Sequence, residues 1–242
     1  MKRKLNRKPP PGNVRWVGST GQNMRGIITN KAGRLVQFES WAERALLLRL
    51  DRDPEVKDYG SQPETFEYVD DQGRTRHYTP DFIVWRSAGI EIHEVTRSER
   101  RTQLRLHQRE KAGAEICAAR GWRYLVHTEG DLPQGAELAN LLALARYRST
   151  GYADPGVTKL VFEQLGQGQA IDLSTLVGQM AAKVGLPEPH VLAALGHLLW
   201  HGQLCTDLDR LIFEPDRGRS APSVRVWLAA ALQEGKDVSQ TR

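Results

Sequence analysis

The sequence predicts an α/β domain built on a mixed central sheet, followed by a smaller helix-rich domain that closes on a two-stranded ribbon. Three observations carry this reading. A helix-period stretch is followed by several strand-period stretches, a second helix and a further strand, the order of a sheet covered by helices. Turn residues separate the strand-period runs at 70–73 and around Gly89. Past Thr150 the pattern changes to successive short helical stretches.

Taken in order, positions 39–50 bring Trp41, Ala45 and Leu48 to one side at helical spacing. Leu46, Leu47 and Leu50 widen the stripe, which predicts a core-facing helix ended by Asp53 and Pro54. Phe66 and Tyr68 alternate onto one face, 70–73 turns and 74–78 returns, a hairpin pattern. Strands are expected over 82–85 and 90–95, a helix over 103–120 and a strand over 122–127. Gly151 and Pro155 bracket an expected linker, so the chain divides into a basic arm (1–34), the α/β domain (35–150) and a C-terminal domain with tail (151–242). In the last part, helices are expected over 159–165, 173–184 and 189–201. A ribbon over 204–213 turning at 207–210 follows, then a further helix over 223–232. Three short helices and a hairpin form the order of a winged-helix domain, which binds DNA or protein.

At 242 residues and 40% hydrophobic content the chain can bury a real core. No apolar run approaches the roughly 20 residues of a membrane-spanning helix, and the N-terminus opens on charges, so neither a membrane partner nor a signal segment is expected. The two cysteines, Cys117 and Cys205, are far apart and without metal-ligand neighbours, which fits a reducing cytoplasm. The net charge of +5 is a weak pointer to nucleic acid. Its distribution says more: from Met1 to Phe38 there are nine Lys or Arg residues and no acid. That stretch reads either as an extended basic arm lying along phosphates, with Lys2, Arg3, Lys4, Arg7 and Lys8 as contacts, or as a solvated tail.

Three acids stand where a hydrolytic metal site can be assembled: Glu43 on the first helix, Asp81 at the start of a strand and Glu94 near the end of the next. Phosphodiester hydrolysis needs a hard divalent cation to neutralise phosphate charge and acidify water. Magnesium, or manganese, is served by a couple of carboxylates and a backbone carbonyl, for which Val95 is the candidate. Glu94 and Thr96 share one face of their strand, and Glu91 and His93 the other. Each acid also has a plain reading. Ser40 and Glu43 have capping-box spacing, Pro80-Asp81 is a common loop-to-strand junction, and a lone Glu94 is an ordinary strand residue.

The segments FESWAERALLLRLDRDPEVKDYGSQPETFEY, RHYTPDFIVW, IEIHEV and GWRYLVHTE resemble successive motifs of the TnsA family, the endonuclease subunits of heteromeric transposases. The resemblance runs from roughly Leu35 to Glu129 and implies a restriction-endonuclease-like fold of PD-(D/E)xK type. It puts Glu43, Asp81 and Glu94 on the catalytic acid positions, with magnesium as cofactor. It further implies cleavage at the 5′ ends of a mobile element beside an integrase-type, TnsB-like transposase, with a TnsC-like AAA+ regulator docked on the C-terminal domain. Thr96 falls where the family holds a lysine. Compensation is open to basic residues of the following segment (Arg97, Arg101, Arg105, Arg109, Lys111), of which Arg97, Arg101 and Arg105 are also candidate DNA contacts. A register using Glu91 and His93 is a second possibility, and a degenerate nuclease kept for DNA binding and assembly a third. A stand-alone restriction or repair nuclease is a competing class. In the C-terminal domain the stretch 189–201 offers mainly Leu, Ala, His and Trp200, which favours protein docking over base reading. His190, His197 and His201 there read as a packed or solvated face.

Overall fold

The computed structural model describes residues 24–100, 103–165, 169–214, 220–221 and 223–229. Two compact units divide at Leu132/Pro133.

In the first unit, strands β1 (Gly26–Thr29) and β2 (Leu35–Phe38) form an antiparallel hairpin. The end of the expected basic arm is therefore paired backbone. The arm's candidate contacts Lys2, Arg3, Lys4, Arg7 and Lys8 lie outside the described residues. Helix α1 (Trp41–Arg52) starts where Ser40 accepts the Glu43 amide, and it buries Ala45, Leu46, Leu47, Leu48 and Leu50. Strand β3 (Val56–Ser61), which the sequence pattern does not disclose, follows at once. The hairpin of β4 (Phe66–Val69) and β5 (Thr75–Tyr78) turns on Asp70, whose carboxylate accepts the amides of Gln72 and Arg74 and pairs with the side chains of Arg74 and Arg76. Those bonds hold the Asp70 carboxyl far below the usual carboxylate range.

Strands β6 (Phe82–Arg86) and β7 (Gly89–Val95), helix α2 (Leu104–Ala119) and strand β8 (Arg123–His127) complete the unit. The sheet order is β3-β6-β7-β8, antiparallel except for the β7/β8 pair. That parallel pair needs a long crossover, which α2 provides. The result is a mixed sheet flanked by helices, as the sequence predicts. The central strand β7 is buried at four consecutive positions, Glu91 to Glu94, so even its polar side chains are enclosed. On one face Ile83 and Ile92 pack with Phe66, Tyr78 and Cys117. Gly113 lets α2 approach this face closely, since a side chain there would collide with the Tyr78 hydroxyl and the Tyr124 ring.

In the second unit the helices are α3 (Gly135–Leu144), α4 (Pro155–Leu165), α5 (Leu173–Val184) and α6 (Glu188–Trp200), and the strands are β9 (Ile171–Asp172), β10 (Leu204–Thr206) and β11 (Arg225–Leu228). The unit begins earlier than the expected linker at 151 because α3 and the turn at Tyr147 pack on α6, with Tyr147 seated against Gly196. Pro155, read as linker, instead opens α4, where its missing amide proton is harmless. Asp172 caps α5 through the amides of Ser174 and Thr175, and Gly185 ends it in the left-handed conformation.

Two expectations fail here. The ribbon over 204–213 does not form: β10 pairs with β11, which also pairs with β9 in a three-stranded antiparallel sheet. Buried Asn140 holds the intervening loop through the carbonyls of Leu208 and Arg210 and the amide of Ile212, so 207–210 is a tethered excursion. The helix expected over 223–232 is instead β11 through Leu228, where Val226 and Leu228 alternate into the core. Among the described residues no helix is long and apolar enough to cross a membrane.

Candidate active site

The site is organised around Asp81, which follows buried Pro80 at the entry to β6. Its carbonyl accepts the Gln62 amide at 2.8 Å, and its carboxylate Oδ2 accepts the Val95 amide at 2.8 Å. These bonds join the start of β6 to the ends of β3 and β7. Since Phe82 pairs with His93, Asp81 and Glu94 stand at the same end of the sheet.

Glu94 is 2% exposed. Its Oε1 has no hydrogen-bond partner among the described residues, and Arg109 reaches Oε2 only at 3.5 Å. Burial pushes its carboxyl well above the usual range. The adjacent Asp81 raises it further, through charge and through a hydrogen bond that favours the protonated form, while Arg109 opposes both. On α1, Glu43 realises the capping alternative: Oε1 accepts the Ser40 hydroxyl at 3.1 Å and Oε2 the Glu39 amide at 2.7 Å. It is also electrostatically part of the same end of the sheet. Its carboxyl is pushed up to about 7, first by burial and then by the Asp81 charge, against the lowering effect of those two hydrogen bonds.

The three sequence-predicted acids are thus electrostatically coupled through Asp81. Among the described residues no group of three or more His, Cys, Asp or Glu side chains is arranged to hold an ion as it stands. The donor chemistry nevertheless suits a hard cation. Magnesium needs only one or two carboxylates with waters, and a buried carboxylate oxygen without a partner is the kind of atom such an ion satisfies. Val95, expected to offer its carbonyl, contributes its amide to Asp81. Thr96 donates its amide to the His127 carbonyl at 2.9 Å, one residue beyond β7. Arg97 and Arg105 are exposed, and Arg101 lies outside the described residues. Of the basic residues considered for compensation, Lys111 is exposed and Arg109 is the one against Glu94.

The register based on Glu91 and His93 does not arise. Asp81 meets Val95 and Glu94, whereas Glu91 and His93 point to the other face. There Glu91 pairs with Arg86 at 2.7 Å, Arg123 at 2.9 Å and His93 at 3.0 Å, and Arg86 also holds Asp53 at 2.6 Å. His93 stacks on His127, with Nδ1 and Nε2 2.9 Å apart. Burial pushes His93 down to about 4, so the ring is neutral at pH 7. These groups border a cavity of about 340 Å³ that also touches Arg49 and Leu50 of α1.

Two residues beyond the predicted set belong to the neighbourhood. Gln62 is buried with φ of 48°, a left-handed conformation that costs a non-glycine residue about 1–3 kcal/mol. Its Nε2 lies 3.5 Å from Glu39, and its Oε1 has no partner among the described residues. The Gln62-Pro63 pair was the available signal in the sequence. Glu110, one position past Arg109 on α2, adds negative charge near Glu94. Only the folded position of α2 reveals it.

In the second unit the three histidines are held structurally. His190 pairs with Asp154, His197 bonds the Tyr147 carbonyl and His201 the Arg148 carbonyl.

Compared with known families, residues 53–129 match the model described as TnsA-like endonuclease N terminal. No curated protein matches the chain. The match contains Asp81, Glu94 and Thr96, and leaves Glu43 ten residues before its start. The mixed sheet with its buried acidic end lies within residues 53–129, and this part of the chain is similar to the TnsA-like endonuclease N-terminal domain.

Proposed function

We propose that this protein is the DNA-cleaving subunit of a heteromeric transposase, hydrolysing phosphodiester bonds at the 5′ ends of a mobile element with magnesium or manganese. The observation that carries the proposal is Glu94, a buried carboxyl with an oxygen unpartnered among the described residues, beside Asp81 at one end of the sheet. Asp81 and Glu94 would hold the cation, with Glu43 and the Val95 carbonyl as further oxygen donors. When bound, the cation would neutralise phosphate charge and make the attacking water more acidic. The bond from Val95 to Asp81 fixes the first carboxylate, so that little reorganisation is needed when substrate arrives. Hydrolysis consumes one water and breaks one phosphorus–oxygen ester bond, with no redox step.

An integrase-type, TnsB-like transposase is the proposed partner for the other strand, and the basic arm and Arg97, Arg101 and Arg105 are the proposed phosphate contacts. We read the second unit as winged-helix-like from α4 onward, supported by the order α4, β9, α5, α6, β10 and β11 that follows α3. Its α6 is buried from Val191 to Trp200 except at Ala193, leaving few side chains for base edges. Docking of a TnsC-like AAA+ regulator is therefore the better reading for this unit.

A nicking assay on DNA bearing the element's ends, with partner transposase and Mg²⁺ or Mn²⁺, tests the proposal. Metal-dependent nicks are expected, with a loss of at least about 100-fold in Asp81→Ala. Undiminished nicking by Asp81→Ala would refute it. Thr96 favours a second reading, a DNA-binding assembly module without catalysis. That reading predicts salt-sensitive DNA binding and no cleavage with either metal.

A further inference from the structure

We infer that Arg109 supplies, from helix α2, the positive charge that the end of β7 lacks at Thr96, its guanidinium serving the phosphate that lies against Asp81 and Glu94. This inference rests on the nuclease reading above.

Several features single out Arg109. Its guanidinium sits 5.3 Å from the centre of the Tyr78 ring, a cation–π placement three residues before Asp81. One turn further along α2, Gly113 sets the helix close to Tyr78 and Tyr124 and so fixes the height of Arg109 above the sheet. The terminal nitrogen is 3.5 Å from Glu94, too long for a well-made charge-assisted bond, and the Nε is buried without a partner among the described residues.

The neighbouring strand β6 shows how this fold builds an arginine that serves only as a counter-ion. Arg86 meets Glu91 at 2.7 Å through Nε and Asp53 at 2.6 Å through a terminal nitrogen. Among the described residues Arg109 has neither a short bond nor a second acid in such contact, so its planar N–H groups retain capacity for a guest anion. A phosphate accepts two such N–H groups in parallel, one on each of two oxygens. The guanidinium stays protonated throughout, so it contributes charge and orientation while transferring no proton. Thr96 offers at most a neutral hydroxyl.

The test compares wild type, Arg109→Ala, Arg109→Lys, Thr96→Lys and the double variant Thr96→Lys/Arg109→Ala in the end-bearing nicking assay, with Mn²⁺ binding followed by calorimetry. Arg109→Ala should lose about 100-fold or more in kcat, the scale of one positioned electrostatic donor, while KM for DNA changes little. Its Mn²⁺ affinity should stay near the wild-type value, and adding Thr96→Lys should restore at least roughly a tenth of the lost rate. Arg109→Lys should retain part of the activity, separating loss of charge from loss of fold. Nicking by Arg109→Ala at the wild-type rate would overturn the inference and leave the nuclease reading intact. Parallel loss of Mn²⁺ binding and nicking would also overturn it, making Arg109 a prop for the carboxylates. If neither wild type nor any variant nicks although Mn²⁺ binds, the nuclease reading itself fails and the inference with it.

Discussion

Glu91 and Glu94 lie three residues apart on β7, both almost fully enclosed, and the protein treats them in opposite ways. Glu91 has Arg86, Arg123 and His93 around it, and Arg86 and His93 hold its carboxyl below the usual range against the effect of burial. Glu94 has one distant arginine, the neighbouring acid Asp81 and an oxygen with no partner among the described residues, and burial followed by the Asp81 charge pushes its carboxyl well up. Burying an ionised group without partners is unfavourable. The same strand thus satisfies Glu91 fully and leaves Glu94 against the Asp81 charge, which is the contrast on which the proposed cation site rests. Position on the strand decides between them: odd residues face the arginine and histidine cluster, even residues face α2.

The sharpest way to break this comparison is to remove the satisfied acid. Glu91→Ala leaves Arg86 with Asp53 alone and takes the carboxylate from Arg123 and His93, and should cost roughly 1–3 kcal/mol in denaturant unfolding, whereas Glu94→Gln should leave stability unchanged or raised. Equal destabilisation by the two would erase the distinction.

Acid titration sharpens it next. His93 falls from an unfolded value of 6.5 to about 4, so the unfolded chain takes up the proton first. Stability from this face is complete above pH 6.5 and declines as pH falls toward 4, by roughly 3 kcal/mol over the window. His93→Gln should flatten that decline; an unchanged slope in the variant would place its source elsewhere.

At the acidic end the sign reverses. Glu43 rises from 4.5 to about 7, so its contribution is complete below pH 4.5 and is lost as pH climbs through 7. Glu43→Gln should therefore gain about 1–2 kcal/mol at pH 8 in metal-free buffer, part of the linkage being returned through a weaker cap. Thermal melts of both proteins at pH 5 and pH 8 check this, with the gain confined to pH 8.

Much of the first unit was legible because its signals are local. The leucine stripe from Ala45 to Leu50, the turn at Asp70 and Gly73, and the alternation of β6 and β7 each depend on neighbours in sequence. What escaped depends on distant partners. Strand β3 carries Lys57, Asp58 and Gly60, a poor strand pattern, and exists because β6 pairs with it along one edge. β10 finds β11 some twenty residues on because Asn140 ties down the loop between them. In the site, the positions of Glu43, Asp81 and Glu94 followed from motif order, and strand parity separated Glu94 from Glu91. The selection of Arg109 over its basic neighbours did not follow, because it depends on how closely Gly113 lets α2 approach the sheet.

The most direct test of a carboxyl kept in reserve is a calorimetric titration of Mn²⁺ into the metal-free protein at pH 8, wild type beside Glu94→Gln. Saturable binding by wild type, weakened at least about tenfold in Glu94→Gln, is the predicted result, since a hard cation needs the carboxylate oxygen. Equal affinity in the two proteins, or no binding by wild type, would contradict it.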